Sequence, residues 1–320
     1  MMNKLQLLRS FLATCLIFSF ITILVACSES STPSAPSESW GEKHFLWKVS
    51  DENSSVWLLG SIHIADASFY PLPSVIDSAF ATASELAVEL NTSDERVMND
   101  LQWQVKVRGE LAGENLRDVL PAELWNSLDS VCKSWGLPIS AFETKRPWVV
   151  ASTISTYAYM MAGMKTEYGI DNVFIKNANA SGKPISSLET VEEQIDALAG
   201  YSYSDSAGIC FLKSTMRELP KARTMMRDLV HAWKSGDDEL LNLLLSEDNT
   251  EDYTPSELQL MEELTQHILV DRNANMADSV ASFLRDDRNV FVVVGTAHLA
   301  FEKNNVIENL RNRGYIIERY

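Results

Sequence analysis

A chain of 320 residues that is 46% hydrophobic and 22% charged can bury a substantial core, which excludes a wholly disordered protein. Its 27 basic residues against 44 acidic ones give a formal net charge of −17. That excludes a protein whose affinity rests on neutralising nucleic-acid phosphates or on a basic patch against anionic lipid. No nucleic acid is expected among its partners.

The first residues differ from the rest. Lys4 and Arg9 precede an uncharged apolar run from Phe11 to Val25, the layout of a signal peptide over residues 1–26. The run ends Leu24-Val25-Ala26-Cys27, which resembles the lipobox of bacterial lipoproteins, so Cys27 is expected to be lipidated after cleavage. At ~0.8 kcal/mol per buried CH₂, two or three acyl chains hold a protein to a lipid membrane almost irreversibly. The Ser/Pro-rich tract Ser28–Ser37, within residues 27–43, cannot build a core and reads as a tether. Ser28 after the cysteine, rather than Asp, resembles the pattern that sorts lipoproteins to the periplasmic face of a Gram-negative outer membrane. The expected location is therefore the bacterial cell envelope. Cys15 leaves with the signal, so only Cys132 and Cys210 remain as thiols. They could pair in an oxidising compartment or sit apart as small buried hydrophobes.

Residues 44–320 read as a single domain. Phe45–Val49 and Ser55–Leu59 flank the turn cluster Asp51-Glu52-Asn53 and predict a hairpin. Pro71-Leu72-Pro73 starts a helix with apolar spacing at Val75, Ile76, Ala79 and Phe80. Leu86–Leu90 is a short apolar strand. From about Asp94 to Arg288 helical periodicity dominates, most clearly over Ala122–Trp135, Trp148–Gly163, Ile170–Ala180, Thr190–Leu198, Ser206–Trp233 and Ser256–Leu284. One strand-like insert, Pro184–Leu188, interrupts it. Asn289–Val294 returns to strand, followed by a helix near Asn304–Arg313 and a last strand over Tyr315–Glu318. The fold class predicted is α/β with α+β character: one mixed β-sheet built from N- and C-terminal strands, flanked by a largely helical middle. The two C-terminal strands are expected to lie side by side.

Two copies of one small device stand out. Gly60-Ser61-Ile62-His63 ends the strand Val56–Leu59, and Gly295-Thr296-Ala297-His298 ends the strand Val290–Val294. A glycine tolerates the backbone angles of a sharp turn. An imidazole three residues later then reaches the carboxyl edge of the sheet, where ligands of open α/β sheets bind. Glu89 closes an apolar strand, where an acidic side chain is costly unless paired or solvated. Glu189 follows the inserted strand, as a site carboxylate or as a helix-start acid. Two imidazoles with one or two carboxylates suit a hard or borderline divalent ion with open positions, which lowers the pKa of water and polarises a carbonyl. The remaining histidines, His44, His231 and His267, lack this setting.

These blocks carry a resemblance. Leu59-Gly60-Ser61-Ile62-His63, Tyr70-Pro71-Leu72-Pro73 and Ala87-Val88-Glu89 look like the opening of the TraB/PrgY/GumN-like superfamily. Tyr168-Gly169-Ile170-Asp171, Gly182-Lys183-Pro184, Leu188-Glu189-Thr190, Arg272-Asn273 and Val294–Leu299 are similar to its later blocks, in order. The nearest likeness is to its bacterial GumN-like lipoproteins, and the superfamily includes the Tiki metalloproteases. The resemblance implies a metal-dependent hydrolase, a peptidase acting on a peptide or protein outside the cytoplasm. It implies metal ligation by His63, His298 and Glu89, with Mn or Co favoured and Zn also suited. Glu89 or Glu189 would act as the base and Arg272 would stabilise an oxyanion, whereas its residue-level reading is a surface partner of Asp271 or Asp278. Tyr168, Asp171 and Asn273 would line the substrate side, although Tyr168 and Asp171 also fit a turn and a first-turn acid. The competing functions are a binding protein that sequesters a peptide, metal or haem without turnover, and a tethered interaction protein with structural histidines.

Overall fold

Asp51 closes the first turn: its Oδ1 accepts from the backbone N–H groups of Asn53 (3.1 Å) and Ser54 (2.8 Å). This joins β1 (Leu46–Ser50) to β2 (Ser55–Ser61) in an antiparallel hairpin with Leu46 opposite Leu59. Here and below, the computed structural model describes residues 40–199, 205–246, 253–301 and 303–320. The signal segment, Cys27 and the tether as far as residue 39 lie outside the described residues.

β3 (Glu85–Val88), β4 (Ile185–Ser187), β5 (Val290–Gly295) and β6 (Ile316–Arg319) complete one six-stranded mixed sheet in the order β4-β3-β5-β2-β1-β6. β4, β3, β5 and β2 are mutually parallel, while β1 and β6 run antiparallel to their neighbours. These four strands, and the edge strand β6 with them, deliver their carboxyl ends to the same edge. β5, Val-Phe-Val-Val-Val-Gly, is buried at every position and occupies the interior of the sheet, as a continuous apolar strand must. β6 alternates between exposed and half-buried residues and takes the opposite role, an edge. The two C-terminal strands are therefore not adjacent: β2 and β1 separate them. β6 is held on β1 instead, with Tyr320 N–H donating to the Leu46 carbonyl at 2.9 Å.

The helical middle follows the apolar periodicity within a residue or two over Ala122–Trp135, Pro147–Met161, Ile170–Ser181 and Val191–Ala199. Ser206–Trp233 is two helices, Asp205–Glu218 and Ala222–Ser235, with a tight turn over Leu219–Lys221. Pro220 carries no N–H to continue the ladder. The long C-terminal helical stretch runs as Pro255–Thr265, a wide π turn over Gln266–Asp271 and then Arg272–Arg285. Pro147–Met161, buried on nearly every side, packs against Asp205–Glu218. Cys132 and Cys210 are separate buried thiols. Burial pushes them up to about 11 and about 12 respectively. Among the described residues no helix is long and apolar enough to cross a membrane.

Candidate functional site

The shared carboxyl edge gathers side chains that are far apart in the chain. His63 lies two residues beyond β2, Glu89 one beyond β3 and Glu189 two beyond β4. His298 sits on the short helix Thr296–Ala300 that follows β5 directly. All four are buried. The glycines of the two Gly-x-x-His turns serve a purpose other than the expected one. Gly60 is not in the left-handed region and Gly295 has φ −50°, so neither needs a glycine's angles. Gly60 needs the space: a Cβ there would stand 2.9 Å from Thr296 Oγ1 and 3.1 Å from Thr296 Cα. The two turns touch, and only the absence of a side chain allows it.

Each imidazole is fixed from behind. His63 Nδ1 meets Asp171 Oδ2 at 2.5 Å, while the Ser61 hydroxyl donates to Asp171 Oδ1 at 2.7 Å. Asp171 reaches His63 because a side chain is missing at Gly169, where a Cβ would fall 2.1 Å from the His63 carbonyl oxygen. His298 Nδ1 lies 2.7 Å from Asn273 Oδ1. Asn273 Nδ2 donates to the Asn304 carbonyl at 3.0 Å, which settles the amide orientation and leaves Oδ1 as the acceptor. His298 Nδ1 is therefore the donor, and Nε2 carries the lone pair. That Nε2 is buried with no hydrogen-bond partner. Both Nε2 atoms face the same oxygen, Glu89 Oε1, at 3.7 Å from His63 and 3.9 Å from His298.

The charges around this point form a ring. Arg272 donates from Nε and Nη2 to the two oxygens of Glu189 (2.6 and 2.7 Å), from Nη2 to Glu89 Oε2 (2.7 Å) and from Nη1 to the Ile268 carbonyl (3.0 Å). Glu89 Oε1 accepts the Gly295 N–H at 2.7 Å. The π turn before Arg272 brings it and Asn273 side by side into the site, so the surface reading paired with Asp271 or Asp278 does not hold. Arg272 directs these donors at carboxylates rather than outward, as expected of an oxyanion hole, and Glu189 spends both oxygens on it. Asp171 and Asn273, expected on the substrate side, instead orient the imidazoles. Tyr168 stands beside the site, its carbonyl accepting from the Tyr70 hydroxyl at 2.7 Å.

The two rings titrate in opposite directions. Burial opposes charge on His63, but the Asp171 carboxylate, with Glu89, outweighs it and raises the ring above the usual histidine range. His298 is held well below that range, by burial first and then by the Arg272 and His63 cations. Burial lifts Glu189 against the pull of Arg272.

His63 Nε2, His298 Nε2 and Glu89 Oε1 are the atoms that would hold a metal here. Among the described residues no three His, Cys, Asp or Glu side chains already stand as a closed ligand cluster. Two ligands about 2.1 Å from one tetrahedral ion stand about 3.4 Å apart. The observed 3.7 and 3.9 Å separations are a few tenths of an ångström wider. The unpartnered His298 Nε2, two rings held from behind through Nδ1 and three buried carboxylates around one guanidinium all fit a divalent cation.

The chain is similar to several known proteins. "Uncharacterized protein YbaP" of Escherichia coli is 26% identical across 59% of this chain and 69% of its own length. "Metalloprotease TIKI1" and "Metalloprotease TIKI2" of Danio rerio are 25% and 24% identical, each across 86% of this chain. The chain spans 62% and 60% of those two proteins. No solved structure matches. The model of the TraB/PrgY/gumN family matches residues 45–319, nearly the whole folded region, and the chain belongs to that family.

Proposed function

We propose that this protein is a metal-dependent hydrolase, a peptidase, acting outside the cytoplasm while tethered to the cell envelope through an acylated Cys27. One observation carries the reading: two imidazoles, each pinned through Nδ1, turn their Nε2 atoms toward a single carboxylate oxygen. Outer partners of this kind fix the tautomer and the ring direction of metal-ligating histidines. His63, His298 and Glu89 would hold the ion, with Mn²⁺ or Co²⁺ favoured and Zn²⁺ also suited.

When bound, the ion supplies Lewis acidity, polarising a carbonyl and lowering the pKa of water. The chain's own residues supply placement. Asp171 and Asn273 keep the Nδ1 protons on the far side of each ring. Arg272 offsets part of the charge of Glu89 and Glu189 and holds Glu89 Oε2, so that Oε1 keeps its direction. The apolar surroundings exclude bulk water, which strengthens each of these interactions.

The test is metal analysis of the full chain together with peptide-library cleavage in added Mn²⁺, Co²⁺ or Zn²⁺. One ion per chain and cleavage abolished in both His63→Ala and His298→Ala are expected. A wild-type protein that takes up no metal under any of the three would overturn the reading. Stoichiometric metal without cleavage would replace it by the sequestering function. The anchor has its own test: a palmitate analogue should label the wild type and not Cys27→Ser.

A further inference from the structure

We propose that Trp233 is a positioning residue of this site, whose single indole N–H ties the two Gly-x-x-His turns together. The proposal rests on the metal site above, and its observations are separate. Trp233, in the last turn of the helix Ala222–Ser235, is among the largest fully buried side chains of the protein. Its Nε1 donates to the Gly60 carbonyl at 3.0 Å and to Thr296 Oγ1 at 3.1 Å, one acceptor from each turn. A purely apolar role would not place the one polar atom of the ring between these two acceptors.

The hydroxyl of Thr296 gives the network a direction. It has one proton, which it donates to the Ser61 carbonyl at 2.9 Å, so its oxygen is left to accept from the indole. The hydroxyl of Ser61 donates to Asp171 Oδ1, and Asp171 Oδ2 holds His63 Nδ1. The path thus runs from Trp233 through Thr296 to the Ser61 carbonyl, and from the hydroxyl of that same residue through Asp171 to His63. In the other direction Thr296 opens the short helix that carries His298 two residues later. One N–H therefore bears on both imidazoles, although it touches neither.

The indole is itself braced by the residues that leave the tether. The ring of Trp40 meets it edge-on at 5.6 Å, and Phe69 lies 5.4 Å away. The Gly41 N–H donates to the Lys234 carbonyl at 2.9 Å, and a Cβ on Gly41 would stand 2.2 Å from the Ser235 carbonyl oxygen. Trp40 and Gly41, within the segment read as tether, thus pack directly on the helix that carries Trp233.

The experiment titrates the full chain and its variants with Co²⁺, following the visible absorption of the bound ion. Trp233→Phe keeps the aromatic bulk and removes the N–H. Thr296→Val removes the hydroxyl, and Thr296→Ser restores it. Trp233→Phe and Thr296→Val should each weaken Co²⁺ binding by roughly tenfold or more, the scale of a lost outer partner, and should alter the absorption bands. Thr296→Ser should bind as the wild type does. Leu229→Ala, on the same helix, should lower the melting temperature and leave Co²⁺ affinity unchanged. Wild-type affinity and spectrum in Trp233→Phe would overturn the proposal, and should that variant not fold, Thr296→Val decides in the same way. If the wild type binds no Co²⁺, the metal reading fails by itself. The ¹⁵N imidazole signals of the metal-free chain then decide: both histidines shift in Thr296→Val if the tie exists, and unmoved signals refute it.

Discussion

The two Gly-x-x-His turns are alike in sequence and opposite in electrostatics. Each follows a buried parallel strand, and each presents an imidazole fixed through Nδ1. His63 is backed by a carboxylate and is raised, whereas His298 is backed by a neutral amide and is lowered. A local motif can thus place a ring without setting its charge. The charge is set by what the rest of the chain packs around it: Asp171, from the helix Ile170–Ser181, raises His63, whereas His298, with only the neutral Asn273 behind it, is lowered by burial and by Arg272 and His63.

The largest effect comes from removing what the two halves share. Arg272 lies against both carboxylates, so Arg272→Ala leaves Glu89 and Glu189 buried without their counter-charge. Losing one partner of a buried ion pair costs about 3–5 kcal/mol, and urea denaturation should show a loss of that size. A variant as stable as the wild type would mean that the carboxylates relax to solvent.

Next in size are changes that exchange the two backings. Asp171→Asn makes both rings amide-backed and should lower the pKa of His63. Asn273→Asp makes both carboxylate-backed and should raise His298. Either change should weaken Co²⁺ or Mn²⁺ binding by roughly 10–100-fold, the scale of an altered outer partner. Calorimetric titration measures the affinity and NMR titration of the metal-free chain measures the direction. Unchanged affinity in both variants would mean that Asp171 and Asn273 do not orient the rings for the ion.

A smaller difference appears in the pH dependence of stability with metal removed. His298, lowered in the fold, stabilises the native state above the unfolded histidine value of about 6.5 and loses that contribution as pH falls. His63, raised in the fold, contributes fully below about 6.5 and loses its contribution as pH rises through its folded value. Thermal melts in EDTA should therefore show that His298→Gln flattens the loss on acidification and His63→Gln steepens it. The same sign in both variants would refute the opposed backings.

The smallest expected signal is chemical. Cys132 and Cys210, raised by burial, should resist alkylation at pH 8 in the native protein and react after denaturation. Rapid native labelling of either would show that the helical layer around it opens readily.

Features that depend on neighbours along the chain are legible in the amino-acid order. The hairpin follows from alternation around Asp51, the central strand from the unbroken apolar run of Val290–Val294, and most of the middle helices from their 3.6-residue period. His63, Glu89, Glu189 and His298 were legible for the same reason, because a strand end is a local feature and parallel strands bring their ends together. Features that depend on contacts across the chain emerge with the packing of the fold. That packing set β1 and β2 between the two C-terminal strands, placed Asp171 and Asn273 behind the rings rather than on a substrate wall, and turned Arg272 onto two carboxylates. Gly60 is required by the nearness of Thr296, and the indole N–H of Trp233 by two turns that meet only in the fold. Such contacts leave no period or spacing in the sequence, because their geometry exists only once distant segments have packed.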